Sequence, residues 1–166
     1  MTYIDKCELF SKIEVKLKEK GFGIDNIDQT RPWGGFFVIN ENQAQEFANA
    51  YFEGLDVQDL KISGKLSPKI LIVGPNKRLS WQYHHRRAEI WRVIQGEVGV
   101  VTSPDDDEHE LKILKEGETI RLSQGQRHRL VGLTSYGVVA EIWQHTDIEN
   151  PSDEDDIVRV QDDFGR

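Results

Sequence analysis

The chain has 166 residues, of which 37% are hydrophobic, 30% charged and 9% aromatic, and carries a formal net charge of −8. That is long and apolar enough for one domain with a real core, and too rich in core formers for a disordered chain. The acidic balance argues against bulk binding to nucleic acid or to an anionic membrane surface, although it leaves room for a local basic pocket. No apolar run reaches the length of a bilayer span, and MTYIDKCELF at the N-terminus lacks a basic stretch followed by an apolar one, so no signal peptide is expected. A single cysteine, Cys7, excludes an internal disulfide and fits a reducing cytoplasm, which is the expected location.

The first predicted element is an amphipathic helix over residues 5–20, with Leu9, Phe10, Ile13 and Leu17 at helical spacing and Gly21 as its stop. A second helix is predicted over 40–54, with Asn40 as N-cap, an apolar face of Ala44, Phe47, Ala48 and Tyr51, and Gly54 at its end. From residue 66 the texture changes. KILIVG, EIWRVIQG, EVGVVT, HELKIL, ETIRL, RHRLVGL and GVVAEIW are short, rich in β-branched and aromatic residues, and punctuated by glycine or turn residues. Short strands at near-regular spacing predict an antiparallel sandwich or barrel. SPDDDEHE (103–110) reads as an exposed hairpin tip, and the acidic tail NPSDEDDIVRVQDDFGR as disordered by composition alone.

WQYHHRRAEIW (81–91) puts two histidines, a glutamine, a glutamate and two arginines between apolar runs. Strand side chains alternate faces, so Gln82 and His84 share one face while Tyr83 and His85 take the other. Gly74, Gln82-x-His84, Glu89 and Gly96 stand at the spacing of a first cupin motif, and Gly117, Ser123-x-Gly125 and His128 at that of a second. The pattern resembles the cupin family, with Gln82 for a histidine, Ser123 for a proline and Gly132 for an asparagine. The resemblance implies an all-β double-stranded β-helix, a jelly-roll barrel, with N-terminal helical additions. It also implies a metal held by Gln82, His84, Glu89 and His128. Two imidazoles, a carboxylate and an amide oxygen suit one divalent ion, Zn²⁺ first and Fe²⁺, Mn²⁺ or Co²⁺ next, with positions left for substrate oxygens. The alternative is that these are half-exposed strand polars that hold no metal.

The ligand set further resembles metal-dependent mannose-6-phosphate isomerases, in particular the isomerase domain of the type II enzymes that carry a mannose-1-phosphate guanylyltransferase. RPWG (31–34), LSWQYHHRRAEIW (79–91) and EDDIVRVQDDFGR (154–166) carry the match, with Ile90 where the family has a histidine. No glycine-rich nucleotide-binding stretch appears, so guanylyltransferase activity is not implied. Taken with the helices read above, the expected organisation is a helical extension over 1–30 and a single cupin domain over 31–166. That domain would have a helical insertion near 40–54 and a C-terminal tail folded back onto the barrel. Arg159 then lies near the pocket mouth as a catalytic candidate, or else pairs with the acids at 153–156.

Glu141, a lone acid in VVAEIW, is a candidate for proton transfer, or else a carboxylate paired with an arginine or orienting a metal ligand. Lys69, opening KILIVG, is a second candidate for the same role. Arg31, Lys77, Arg78, Arg86, Arg87, Arg127, Arg129 and Arg159 crowd these segments; Arg87 and Arg159, which match the family's motifs, have the best claim to holding a phosphate, and Arg31 is a further candidate. The expected activity is isomerisation of a sugar phosphate, mannose-6-phosphate to fructose-6-phosphate. An isomerase of another sugar, its pocket reshaped by Ile90 and the helix near 42–53, and a non-catalytic sugar- or metal-binding cupin are the alternatives. A homodimer is expected, with no nucleic-acid or membrane partner.

Overall fold

The computed structural model describes residues 5–55 and 65–166. Helix α1 (Lys6–Glu19) starts where the Asp5 carboxylate accepts from the Glu8 amide, and buries Leu9, Phe10, Ile13 and Leu17. Strands β1 (Ile24–Asp28) and β2 (Gly34–Ile39) follow, then a 3-10 turn (Glu41–Gln43) capped by Asn40 and running into α2 (Ala44–Tyr51). The remaining strands are β3 (Lys69–Val73), β4 (Trp81–Tyr83), β5 (Arg87–Gln95), β6 (Glu97–Ser103), β7 (Lys112–Lys115), β8 (Thr119–Leu122), β9 (Arg127–Gly132), β10 (Gly137–His145) and β11 (Val158–Gln161).

They form two antiparallel sheets, one in the order β1-β2-β3-β10-β5-β8 and the other β11-β4-β9-β6-β7. The all-β expectation holds. The expected helical extension over 1–30 is more than helix: β1 lies within it and pairs with β2 as the edge of the larger sheet, while residues 1–4 fall outside the described residues.

Burial explains the unbroken apolar run KILIV. All of β3 is buried because both faces of the larger sheet are covered. On one face Ile70, Ile72, Val138, Ala140 and Ile142 pack against Leu9, Phe10 and Phe47 of the two helices. On the other, Leu71, Val73, Trp91, Val93 and Val139 meet Val98, Val100 and Leu130 of the smaller sheet. Each buried Val, Leu, Ile or Phe side chain among these contributes about 1.5–3 kcal/mol of burial. Ile90 belongs to the helix-facing cluster, one residue along β5 from Glu89 and on the opposite face. The expectation that its replacement of a histidine reshapes the pocket is therefore corrected: the side chain packs under the helices.

Two glycines are fixed by close backbone approach. A Cβ on Gly34 would stand 1.9 Å from the Ile72 carbonyl oxygen, at a φ of +147°, and one on Gly132 1.9 Å from that of Gly74. The asparagine of the cupin pattern would not fit at Gly132 on this backbone. The acidic tail is ordered, since β11 pairs with β4 in the register Val158↔Tyr83 and Arg159↔Gln82. No helix among the described residues is long and apolar enough to cross a membrane.

Candidate metal centre and cleft

β4 and β9 meet with Gln82 opposite His128, and β5 of the facing sheet brings Glu89 between His84 and His128. His84 Nε2 lies 3.4 Å from Glu89 Oε2, and His128 Nε2 3.4 Å from Glu89 Oε1. All three residues are 2% exposed, so an unneutralised charge here would be costly.

The tautomers follow from the backbone. His84 Nδ1 is 2.7 Å from the Asp156 carbonyl and His128 Nδ1 3.1 Å from that of Gln126. A carbonyl only accepts, so each Nδ1 carries the proton and each Nε2 turns a lone pair inward. His128 Nε2 and Glu89 Oε1 are buried without any hydrogen-bond partner. Two inward lone pairs and an orphaned carboxylate oxygen on one small volume are the donor set of a divalent cation, and the residues present fit one.

Burial holds the His84 imidazolium form off, with a pKa lowered to about 4, so the ring stays a neutral donor at physiological pH. For Glu89, burial alone would raise the pKa. The Arg87 guanidinium, 2.8 Å away, is the largest opposing influence, and the carboxyl is held well below its usual range.

Gln82 enters differently. Its Oε1 accepts from Ser80 Oγ at 2.6 Å, and its Nε2 faces His84 Nε2 at 3.4 Å. A half-turn of the amide exchanges the two atoms, bringing the oxygen to the centre and letting Ser80 accept instead.

Arg87, expected to hold a phosphate, is committed to the protein. Its Nε donates to Glu89 Oε2 at 2.8 Å, and Nη1 to Ser152 Oγ at 3.1 Å and the Asp153 carbonyl at 3.0 Å. Nη2 stands 3.2 Å from the His84 Nε2 lone pair, and the guanidinium stacks 3.5 Å from the Trp143 ring. Arg87 is therefore a positioning group for Glu89. The same sorting disposes of other basic candidates: Arg78 pairs with Asp163, Arg86 with Asp153 and Asp156, Arg127 with Asp106 and Arg129 with Glu108.

A cleft beside this centre runs between the sheets, lined by Gln82 and Glu89 and by Arg31, Lys69, Glu141 and Arg159. Glu141 on β10 is opposite Lys69 on β3. Its two carboxylate oxygens accept at 2.8 Å from the Trp91 and Trp143 indole N–H groups. Burial, and next the charge of Glu89, push its pKa up to about 7. Lys69 is buried, pairs with Glu154 at the rim, and lies 5.0 Å from the Phe36 ring and 4.9 Å from that of Trp143. Arg31 pairs with Asp28 at 3.0 Å and covers Phe36. Arg159 is exposed and has no ion pair with the acids at 153–156.

Sequence reasoning missed the strap between β10 and β11. The buried Asp156 carboxylate accepts from the His85 and Arg86 amides, both at 2.9 Å, and from Ser152 Oγ at 2.6 Å, while its carbonyl fixes His84. The Ser152 amide donates to His145 Nδ1 at 2.9 Å. Trp33 and Arg166, also missed, line the cleft; both lie in stretches that carry the isomerase resemblance, which was the available signal.

Two facing antiparallel sheets with a His–Glu–His centre between them define a cupin. Oxalate decarboxylase superposes with a TM-score of 0.55 at 15% identity, over 81% of this chain and 30% of that one. The capsular polysaccharide assembling protein CapF of Staphylococcus aureus superposes with 0.52 at 14%, over 84% and 34%. At such identities the likeness concerns the fold alone. Residues 45–162 match the family Mannose-6-phosphate isomerase C-terminal, and the chain belongs to it. Among relatives, mannose-1-phosphate guanylyltransferase ManC of Salmonella typhimurium is 34% identical over 99 residues, 59% of this chain and 19% of that protein. Xanthan biosynthesis protein XanB of Xanthomonas campestris is 29% identical over 138 residues, 82% of this chain and 23% of that one. The chain thus spans about a fifth to a quarter of the length of these curated relatives.

Proposed function

We propose that this cupin domain is a metal-dependent aldose–ketose isomerase of a sugar phosphate, with mannose-6-phosphate and fructose-6-phosphate as the pair. The observation that carries the reading is Glu141: a buried carboxylate, held by two indole N–H groups and poised at about 7, in the same cleft as the metal ligands and Lys69. Family membership supports the substrate class.

His84, Glu89 and His128, with Gln82 after rotation of its amide, would hold the ion. When bound, it supplies a Lewis acid for the negative charge that develops on the sugar oxygens. Glu141 takes the proton from C2 and returns it at C1, and the hydroxyl proton passes from O2 to O1, so an aldose becomes a ketose with no atom gained or lost. A carboxyl whose pKa burial raises toward neutrality is suited to accept and then release a proton, as a group that acts twice in one turnover must. The indole donors keep it from rotating away. Lys69 stabilises negative charge beside it, and Arg159, directed into the cleft by its pairing with Gln82, adds a second cation.

A coupled assay on metal-loaded protein with a panel of aldose 6-phosphates tests the reading. Turnover that is greatest with mannose-6-phosphate and abolished in Glu141→Gln is expected. Failure to isomerise any aldose phosphate would leave a sugar- or metal-binding cupin.

A further inference from the structure

The face of β10 that carries Glu141 and Trp143 continues, two residues on, to His145, which lies outside both the cleft lining and the ligand set. His145 is fully buried and meets the Trp143 ring edge-on, 5.8 Å between centroids. Its Nδ1 faces the Ser152 amide at 2.9 Å, and its Nε2 faces Ser67 Oγ at 3.3 Å. Burial, and next the positive charges of Lys65 and Arg87, lower its pKa to about 4, so the ring is neutral at physiological pH. An amide N–H only donates, so Nδ1 holds the lone pair and Nε2 the proton, which it donates to the Ser67 hydroxyl. That is the opposite tautomer to the one at His84 and His128.

Each end of this ring leads to a fixed group. On one side, Ser152 Oγ donates to Asp156 at 2.6 Å and accepts from Arg87 Nη1 at 3.1 Å. Arg87 holds Glu89, and the Asp156 carbonyl orients His84. A shift of the Ser152 backbone therefore moves the partners of two ligands at once. On the other side, Ser67 stands in the left-handed region at a φ of +49°. A residue with a Cβ stays there only when its surroundings over-determine it. Here the Glu41 carboxylate, from the turn before α2, does so by accepting from the Leu66 amide at 3.0 Å and the Ser67 amide at 2.7 Å.

We propose that His145 is a positioning residue of the metal centre: its ring fixes the Ser152 amide, and through it the Arg87–Glu89 pair and the Asp156 strap, and anchors that lock to Ser67 and Glu41. This rests on the metal-centre reading of His84, Glu89 and His128 and extends it to a residue that reaches the ligands through Ser152.

Competition with a chelator for Zn²⁺, and hydrogen exchange of the Ser152 amide, test it on the full chain. Asparagine sets an amide oxygen near the position of Nδ1, whereas glutamine reaches toward that of Nε2. Both give up the buried ring, so a merely structural role would weaken Zn²⁺ binding alike in the two. His145→Asn should keep the Ser152 amide protected and Zn²⁺ affinity within about threefold of wild type, while His145→Gln should lose the protection and about 10-fold or more in affinity. Ser67→Ala removes one half-buried hydroxyl, keeps the fold, and should lose about 3- to 10-fold by freeing the far end of the ring. Equal loss in His145→Asn and His145→Gln overturns the positioning role. If neither histidine variant folds, Zn²⁺ affinity within twofold of wild type in Ser67→Ala overturns it. A wild type that binds no Zn²⁺ removes the metal-centre reading itself, whereas a wild type that binds Zn²⁺ with equal loss in both histidine variants removes only the role of His145.

Discussion

Asp156→Asn should weaken metal binding at a centre that Asp156 does not touch through its side chain. One carboxylate oxygen accepts from the His85 amide, and the other from the Arg86 amide and Ser152 Oγ. An asparagine keeps one acceptor and turns an NH₂ toward a donor, so at least one charge-assisted bond is lost and a buried N–H is left unpaired. At about 1.5–3 kcal/mol for the bond, plus weakening of the others as the charge is removed, the folding cost is about 2–4 kcal/mol. Because the same residue's carbonyl orients His84, loosening the strap should lower metal affinity about 10- to 100-fold, the usual effect of removing a group that orients a ligand. Denaturant unfolding of the metal-free protein measures the first quantity and competition with a chelator the second. The acid limb gives a further check. Burial would raise the Asp156 pKa, but Ser152 and the His85 and Arg86 amides outweigh it and bring it to about 2, below its usual 3.8. With the folded value depressed, its stabilisation is present above pH 4 and is lost as the pH falls from about 4 through 2. The variant should lack that loss. Metal affinity within twofold of wild type in Asp156→Asn would refute the view that the strap positions the ligands.

His84→Ala and His128→Ala should each abolish metal retention while leaving the fold in place, since the core lies in the two apolar clusters; elemental analysis and circular dichroism decide this. In metal-free protein the Glu141 pKa is raised from 4.5 to about 7, so its ionisation opposes folding. Its own contribution to stability should then fall as the pH rises from about 4.5 through 7, opposite in sign to that of His84 and His145, whose pKa values are lowered to about 4, so the difference in unfolding free energy between wild type and Glu141→Gln should decline over that range in denaturation curves. Arg159→Ala should keep metal and fold but lose about 2–4 kcal/mol of transition-state stabilisation, roughly 30- to 1,000-fold in kcat/KM. Arg159→Lys should rescue only part of it, because it keeps the charge and loses the fork.

What was legible in the sequence follows from which interactions are local. β3, β5, β6 and β10 announce themselves because their apolar runs are covered on one or both faces. β1, reading IDNID, is half exposed at a sheet edge, and β4 is three residues long. Neither has a period to read, and each is a strand because of the partner it meets. β11 lies in an acidic tail for the same reason, its pairing with β4 joining residues far apart in the chain.

The metal centre was readable because alternation converts spacing into direction. Gln82 and His84 share a face by being two apart, and His128 arrives opposite Gln82 by strand register. The same rule, carried one residue past Glu89, already puts Ile90 on the far face, so its replacement of a histidine need not alter the cleft. Alternation gives no information about where a long side chain ends. Arg87 looks like a free cation until Ser152 and Asp153, some 65 residues later, take its donors. Asp156 looks like its exposed neighbours Glu154 and Asp155, yet it alone of the three turns inward, because the strap's path brings it over the His85 and Arg86 amides. Ligand identity is thus written locally, whereas ligand orientation depends on the docked tail. A chain cut before residue 152 would keep Gln82, His84, Glu89 and His128 in sequence but lose the carbonyl that sets the His84 tautomer and two of the groups that hold Arg87 against Glu89.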